Sequence, residues 1–116
     1  MIYLASPYSH PDPLERQYRY DRMVKVAGRL LGQDHFVYSP IVHCHPLALA
    51  TSLPTDFTFW QRYNLHMLEK SDELWVIQLD GWHESLGVQA EIIQALRWNK
   101  PVVYVEFEEF INGENN

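Results

Sequence analysis

The chain has 116 residues, 47% of them hydrophobic and 14% aromatic, which suffices for one packed domain without disulfide or metal staples. A formal charge of −6 argues against a broad footprint on duplex nucleic acid, which would need clustered Lys and Arg, and the single cysteine, Cys44, cannot form an internal disulfide. No run approaches the ~18 apolar residues of a membrane span, and the chain opens directly on a strand-like segment without a basic flank, so a cytoplasmic protein with no membrane partner is expected.

Residues 1–6 are an apolar run ended by Ser6-Pro7, the pattern of a strand buried on both faces. Asp12-Pro13-Leu14-Glu15 then reads as a helix start: Asp12 caps free amides, Pro13 needs no amide at the first position, and Glu15 reaches back. Met23, Val26, Ala27, Leu30 and Leu31 recur at helical spacing, and Gly32 is expected to close the helix. Phe36–Ser39 reads as a short second strand stopped by Pro40.

Residues 40–56, with Pro40, Pro46, Pro54 and two histidines, read as a long loop with at most a short helical turn, and loops of that length are commonly lids or binding loops. A helix is expected from Thr58 or Phe59 to about Lys70, and a third strand over Glu73–Leu79, ended by the turn signal Asp80-Gly81. Ser85–Trp98 reads as the last main helix with Val88, Ile92, Ala95 and Leu96 inward; Asn99-Lys100-Pro101 breaks it before a fourth strand, Val102–Val105. Residues 110–116 are expected to be a frayed tail.

Strands alternating with helices imply parallel βαβ units. The expected fold is α/β, a Rossmann-like three-layer sandwich with a small parallel sheet of four to five strands and helices on both faces, as a single domain over 1–116. Ligands of such sheets bind beyond the carboxyl ends of the strands, which brings Ser6–His10 and Asp80–Gly87 to one rim.

Asp80 to Glu91 is the most informative segment, because it runs from a strand end into a helix. Ser85 is a natural cap, Gly87 lets a ligand approach the first turn, and the exposed amides with the helix dipole favour an anion. Glu91 lies between one and two turns in, and since helical side chains tilt toward the N-terminus its carboxylate can face back to the rim. Taken alone, the same residues also suit an ordinary capped helix with a solvated glutamate.

Tyr3-Leu4-Ala5-Ser6 on the first strand, Ser85-Leu86-Gly87-Val88 followed by Glu91, and Trp98-Asn99-Lys100-Pro101-Val102 before the last strand together resemble the nucleoside 2-deoxyribosyltransferase superfamily across nearly the whole chain. Within it the chain is similar to a short bacterial and phage branch whose first strand reads like Ala5-Ser6-Pro7-Tyr8-Ser9, and to the 2′-deoxynucleoside 5′-phosphate N-hydrolases. The resemblance implies a covalent glycosyl intermediate on a glutamate, here Glu91, with a strand-one tyrosine, Tyr3, orienting it. Ser85, six residues before the nucleophile, matches the side of the superfamily that hydrolyses nucleoside 5′-monophosphates rather than the transferases, which carry aspartate there. Ser6, Tyr8, Ser9, Gly87 and Asp80 are the further substrate-binding candidates. A small-molecule nucleotide or nucleoside as partner, no cofactor, no metal and a homodimer or larger assembly are the corresponding expectations.

Two departures from the superfamily pattern stand out. Its phosphate-binding members carry arginine near the end of strand one, where this chain has Tyr8; Arg16 and Arg19 either compensate, are solvated or pair with Glu15. Its aspartate eight residues ahead of the Asp72 position is here Asn64, an amide that can hydrogen-bond a hydroxyl but cannot act as a general acid. Asp80, Glu84 and Asp56 are alternative acids, and loss of catalysis is the other possibility. His43, Cys44 and His45 lack a second ligand cluster, so loop histidines are favoured over metal ligands. Trp60, Trp82 and Phe57 are candidates for stacking on a base.

Overall fold

A computed structural model describes residues 1–113. The elements run β1 (Ile2–Ala5), α1 (Pro13–Gly32), β2 (Val37–Tyr38), α2 (Pro40–Thr51), α3 (Phe57–Glu69), β3 (Glu73–Gln78), α4 (Leu86–Arg97), β4 (Val102–Glu106) and α5 (Phe107–Gly113). All strand pairs are parallel and the sheet order is β2-β1-β3-β4. Because β1 lies between β2 and β3, the connections leave it in opposite directions across the sheet, and a crevice opens at the carboxyl ends of β1 and β3.

Strand alternation builds the two cores. Ile2 and Leu4 of β1, with Ile77 and Leu79, face Met23, Val26, Ala27 and Leu30 of α1, Ile41 of α2 and Phe107 of α5. Tyr3 and Ala5, with Leu74 and Val76 of β3, face Leu68 of α3 and Val88, Ile92 and Ala95 of α4. Helices therefore cover both faces, giving the Rossmann-like three-layer α/β sandwich with a four-stranded parallel sheet. Among the described residues no helix is long and apolar enough to cross a membrane.

The start of α1 follows the local signals: Pro13 opens it and the Asp12 carboxylate accepts the Leu14 amide at 2.9 Å. Glu15, however, turns to Arg19 instead of back to the cap, at 3.3 Å. The left-handed residue after the helix is Asp34, with φ 66°, not Gly32, and Gln33 is the C-cap. An aspartate tolerates that region better than most residues, so glycine is not required. Leu31 and Leu96 lie outside the core, each more than half exposed. At the end of α4, Asn99 takes φ 57° and the Lys100 amide returns to the Ala95 carbonyl, which closes the helix before Pro101 as expected.

The expected loop over 40–56 is in large part a helix. Ser39 caps α2 by accepting the Val42 amide, Pro40 occupies its first turn, and Ile41, Cys44, His45 and Ala48 form its buried stripe. Pro46 sits inside it, at the loss of one backbone hydrogen bond. The expected tail from residue 110 is likewise helical as far as Gly113. Phe110 and Ile111 pack on the core, the Glu106 carboxylate accepts the Glu109 amide at 2.6 Å, and Arg29 donates to the Ile111 carbonyl at 2.6 Å. Residues 114–116 of that expected tail lie outside the described residues.

Candidate functional site

β1 points Tyr3 toward α3 and α4, and the phenol is fully buried. β3 lies beside it in register, Tyr3 opposite Leu74 and Ala5 opposite Val76, so the segment leaving β3 enters α4 next to the end of β1. Ser85 is the N-cap of α4: its hydroxyl oxygen accepts the Val88 amide at 3.2 Å, which leaves the hydroxyl proton free to donate. In the next turn Glu91 faces inward, with only 7% of its surface exposed. The Tyr3 hydroxyl donates a short hydrogen bond to Glu91 Oε2.

Burial pushes the Glu91 carboxyl up to about 7, and the Tyr3 hydrogen bond, which favours the anion, opposes that shift. The phenol is raised well above its ordinary value by burial, then by the charge and hydrogen bond of Glu91, so it stays protonated and remains the donor. The pair is a carboxylate whose orientation is fixed by a dedicated phenol and whose proton comes off near neutrality.

Glu91 opens onto a cavity of about 440 Å³. One side is formed by the segment after β1, with Ser6, Tyr8 and Ser9, and another by Glu84, Ser85, Leu86 and Gly87 at the start of α4. α2 contributes Ile41 and Cys44, and α3 contributes Phe57, Trp60, Gln61, Asn64 and Leu65, with Asp56 at its N-cap. The Ser6 hydroxyl oxygen and Asn64 Oδ1 are buried and have no hydrogen-bond partner. Two buried polar atoms without partners, in residues lining one cavity, are a cost that a hydroxyl-bearing ligand would offset.

The aromatic wall is held in place. The Trp60 indole N–H donates to the Pro54 carbonyl at 2.7 Å, and Phe57 packs so closely on Gly87 that a Cβ there would meet its ring at 3.3 Å. Gly87 thus makes room for Phe57. Trp82, the other stacking candidate, instead packs against the core with its ring 5.8 Å from Tyr104. Asp80 does not line this cavity. It borders a separate, smaller one with Glu15, Arg22 and Glu106, while its carbonyl is held by Arg19. Tyr3, Ser6, Tyr8, Ser85, Gly87, Asn64 and Glu91 are brought together; Asp80 is not.

Arg19 ties the two rim segments. Its guanidinium donates to the Ser9 carbonyl at 3.1 Å and the Asp80 carbonyl at 3.3 Å, with Glu15 completing the set. It lies directly under Gly81, whose φ is 90° and where a Cβ would come within 2.8 Å of Nη2. Of the roles open to this arginine, pairing with Glu15 is the observed one. Its structural importance had a signal in the sequence, since residue 19 continues the stripe 23, 26, 27, 30 by one helical turn.

His45, read from the sequence as a loop histidine, is buried. Tyr8 Oη lies 2.5 Å from Nδ1 and Gln17 Oε1 lies 2.9 Å from Nε2. Because an amide oxygen only accepts, Nε2 carries the proton and Nδ1 accepts from the phenol. Burial, aided by the Arg16 charge, lowers the His45 pKa, in keeping with a neutral ring. His43 faces the other way, stacked on Tyr63 at 5.6 Å between centroids. The histidines thus fix α2 to α1 and to α3, and Tyr8 is oriented by His45 as it lines the cavity. Burial pushes the Cys44 thiol, also in the lining, up to about 12.

No curated protein matches the chain in sequence. Residues 1–107 match a family whose description is Domain of unknown function (DUF1937). That match takes in β1 through β4 and every residue lining the cavity, so the chain belongs to the DUF1937 family.

Proposed function

We propose that the chain is an N-glycosidase that cleaves the base–sugar bond of a nucleoside 5′-monophosphate through a covalent glycosyl intermediate on Glu91. The observation that carries the proposal is the buried Glu91 carboxyl, oriented by the Tyr3 hydroxyl and opening onto a cavity of nucleoside size. In the first step a Glu91 oxygen bonds to C1′ as the C1′–N bond breaks, and the bond's electron pair leaves with the base. Water then attacks C1′, freeing Glu91 and the sugar. Tyr3 holds the carboxylate in one orientation, and the unpartnered Ser6 hydroxyl and Asn64 Oδ1 suit sugar hydroxyls.

A 5′-phosphate would rest on the first turn of α4 and the Ser85 hydroxyl, since no Lys, Arg or His among the described residues lines the cavity. Phe57 and Trp60 provide the apolar wall for an aromatic base. A homodimer or larger assembly belongs to the same proposal, and light scattering from a strict monomer would remove it. Binding without turnover is a second reading, favoured by the amide at Asn64; base transfer between nucleosides is a third, differing only in the acceptor.

The test is a panel of nucleosides and their 5′-monophosphates, with base release followed by chromatography and the protein analysed by mass spectrometry for a glycosyl adduct on Glu91. Base release that Glu91→Ala abolishes is the expected result. Equal release by wild type and Glu91→Ala rules the mechanism out, and tight binding with neither release nor adduct supports the binding reading.

A further inference from the structure

Any N-glycosidase must deal with the electrons that leave with the base. An uncharged base departs as an anion unless an acid protonates it, whereas a base attached through a positively charged ring departs neutral and needs no acid. The cavity differs sharply in what it offers these two leaving groups.

It offers an acid poorly. Asn64, midway along α3 in the cavity wall, is an amide whose oxygen is a buried acceptor without a partner. Glu91 is engaged with Tyr3 and, on the reading above, is the nucleophile. The Cys44 thiol holds its proton up to about 12, and the Tyr8 proton is committed to His45. Among the described lining residues only Asp56 and Glu84 remain, and both are exposed.

For a cation, by contrast, the cavity is well furnished. Its charged lining residues are Asp56, Glu84 and Glu91, all carboxylates, and no Lys, Arg or His joins them among the described residues. The whole chain carries a formal charge of −6, which draws cations toward it. Phe57 and Trp60 present fixed aromatic rings of the kind that attract a cationic ring.

We infer that the substrate is an N-glycoside whose leaving base carries a fixed positive charge, such as a pyridinium or an N7-alkylated purine. The inference rests on the glycosidase reading and narrows it. Bond by bond, Glu91 Oε joins C1′, the C1′–N bond breaks, and its electron pair neutralises the ring cation. Water then displaces Glu91 from C1′ and loses one proton to solvent. The sum is cationic glycoside plus water giving neutral base, free sugar and one proton.

The experiment incubates the protein with nicotinamide riboside, its 5′-monophosphate and 7-methylguanosine, and in parallel with uridine, inosine, guanosine and their 5′-monophosphates. Base release is read by chromatography and proton release by a pH indicator, each rate divided by the uncatalysed rate of the same compound. At least one charged-base compound should exceed every uncharged one by about tenfold or more, with one proton released per base. Asn64→Asp, which supplies an acid, should narrow that preference, and an unchanged preference overturns the role given to Asn64. Uncharged nucleosides cleaved as well as the charged ones, with an adduct on Glu91, overturn this inference and leave the glycosidase reading standing. Release from no compound overturns both.

Discussion

Replacing Glu91 by glutamine removes the one buried carboxyl among the described residues, whose proton comes off near neutrality, and the consequence for stability has a definite sign. Folding raises this carboxyl from an ordinary 4.5 to about 7, so the folded state favours the protonated form. The stabilising contribution of the raised value is complete below about 4.5 and is lost as the pH climbs through about 7. Two and a half pK units correspond to about 3 kcal/mol, most of which falls between about pH 5 and about pH 8. Glutamine at position 91 has no proton to lose, so Glu91→Gln should gain about 2–3 kcal/mol on wild type over that interval.

Urea titrations of both proteins at the two pH values measure the difference, and groups titrating alike in both cancel. A constant offset from the unpaired glutamine amide cancels as well. If the stability gap between the two proteins is the same at both pH values, Glu91 does not titrate abnormally and the account of its burial fails. The outcome does not depend on knowing the substrate.

Four further outcomes are expected. For a cleaved substrate, log kcat/KM should rise with pH and level off near about 7 as Glu91 ionises; a profile flat across that range excludes it as the nucleophile. In Tyr3→Phe the hydrogen bond that favours the anion is gone, so the same inflection should move to higher pH with kcat reduced, and an unmoved inflection removes Tyr3 from its orienting role. Arg19→Ala leaves the Ser9 and Asp80 carbonyls without their donor and should cost about 1–3 kcal/mol of stability while raising KM, checked by chemical denaturation and kinetics. Gly87→Ala pushes the Phe57 ring aside by a few tenths of an ångström, so ligand affinity measured by calorimetry should fall modestly while the unfolding midpoint moves little.

Local chemistry made much of the site readable in the sequence. Ser85 caps α4 because its oxygen accepts a first-turn amide, Glu91 faces inward because its helical position places it there, and the rim follows from parallel topology alone. Less readable was α2. Its buried stripe includes His45, which a hydropathy reading scores as polar, and Pro46 interrupts the expected pattern. The signal that survives is Ser39-Pro40 as cap and first turn, with 41, 44, 45 and 48 at helical spacing. α5 was hidden for a different reason: it follows β4 without a break, so there is no turn residue to announce it. Asp80 looked like a site residue because it stands at a strand end, yet its carbonyl serves Arg19 and its place is at the smaller cavity. Which of two adjacent crevices a rim residue joins depends on tertiary packing that local pattern does not encode.

The guanidinium of Arg19 occupies the space over residue 81 that any side chain there would enter, and the backbone at 81 has the left-handed sense that glycine adopts freely. The two positions therefore form an epistatic pair. A library randomising residue 81 in the presence of Arg19 should return glycine almost alone, whereas one that also shortens residue 19 should admit asparagine or aspartate.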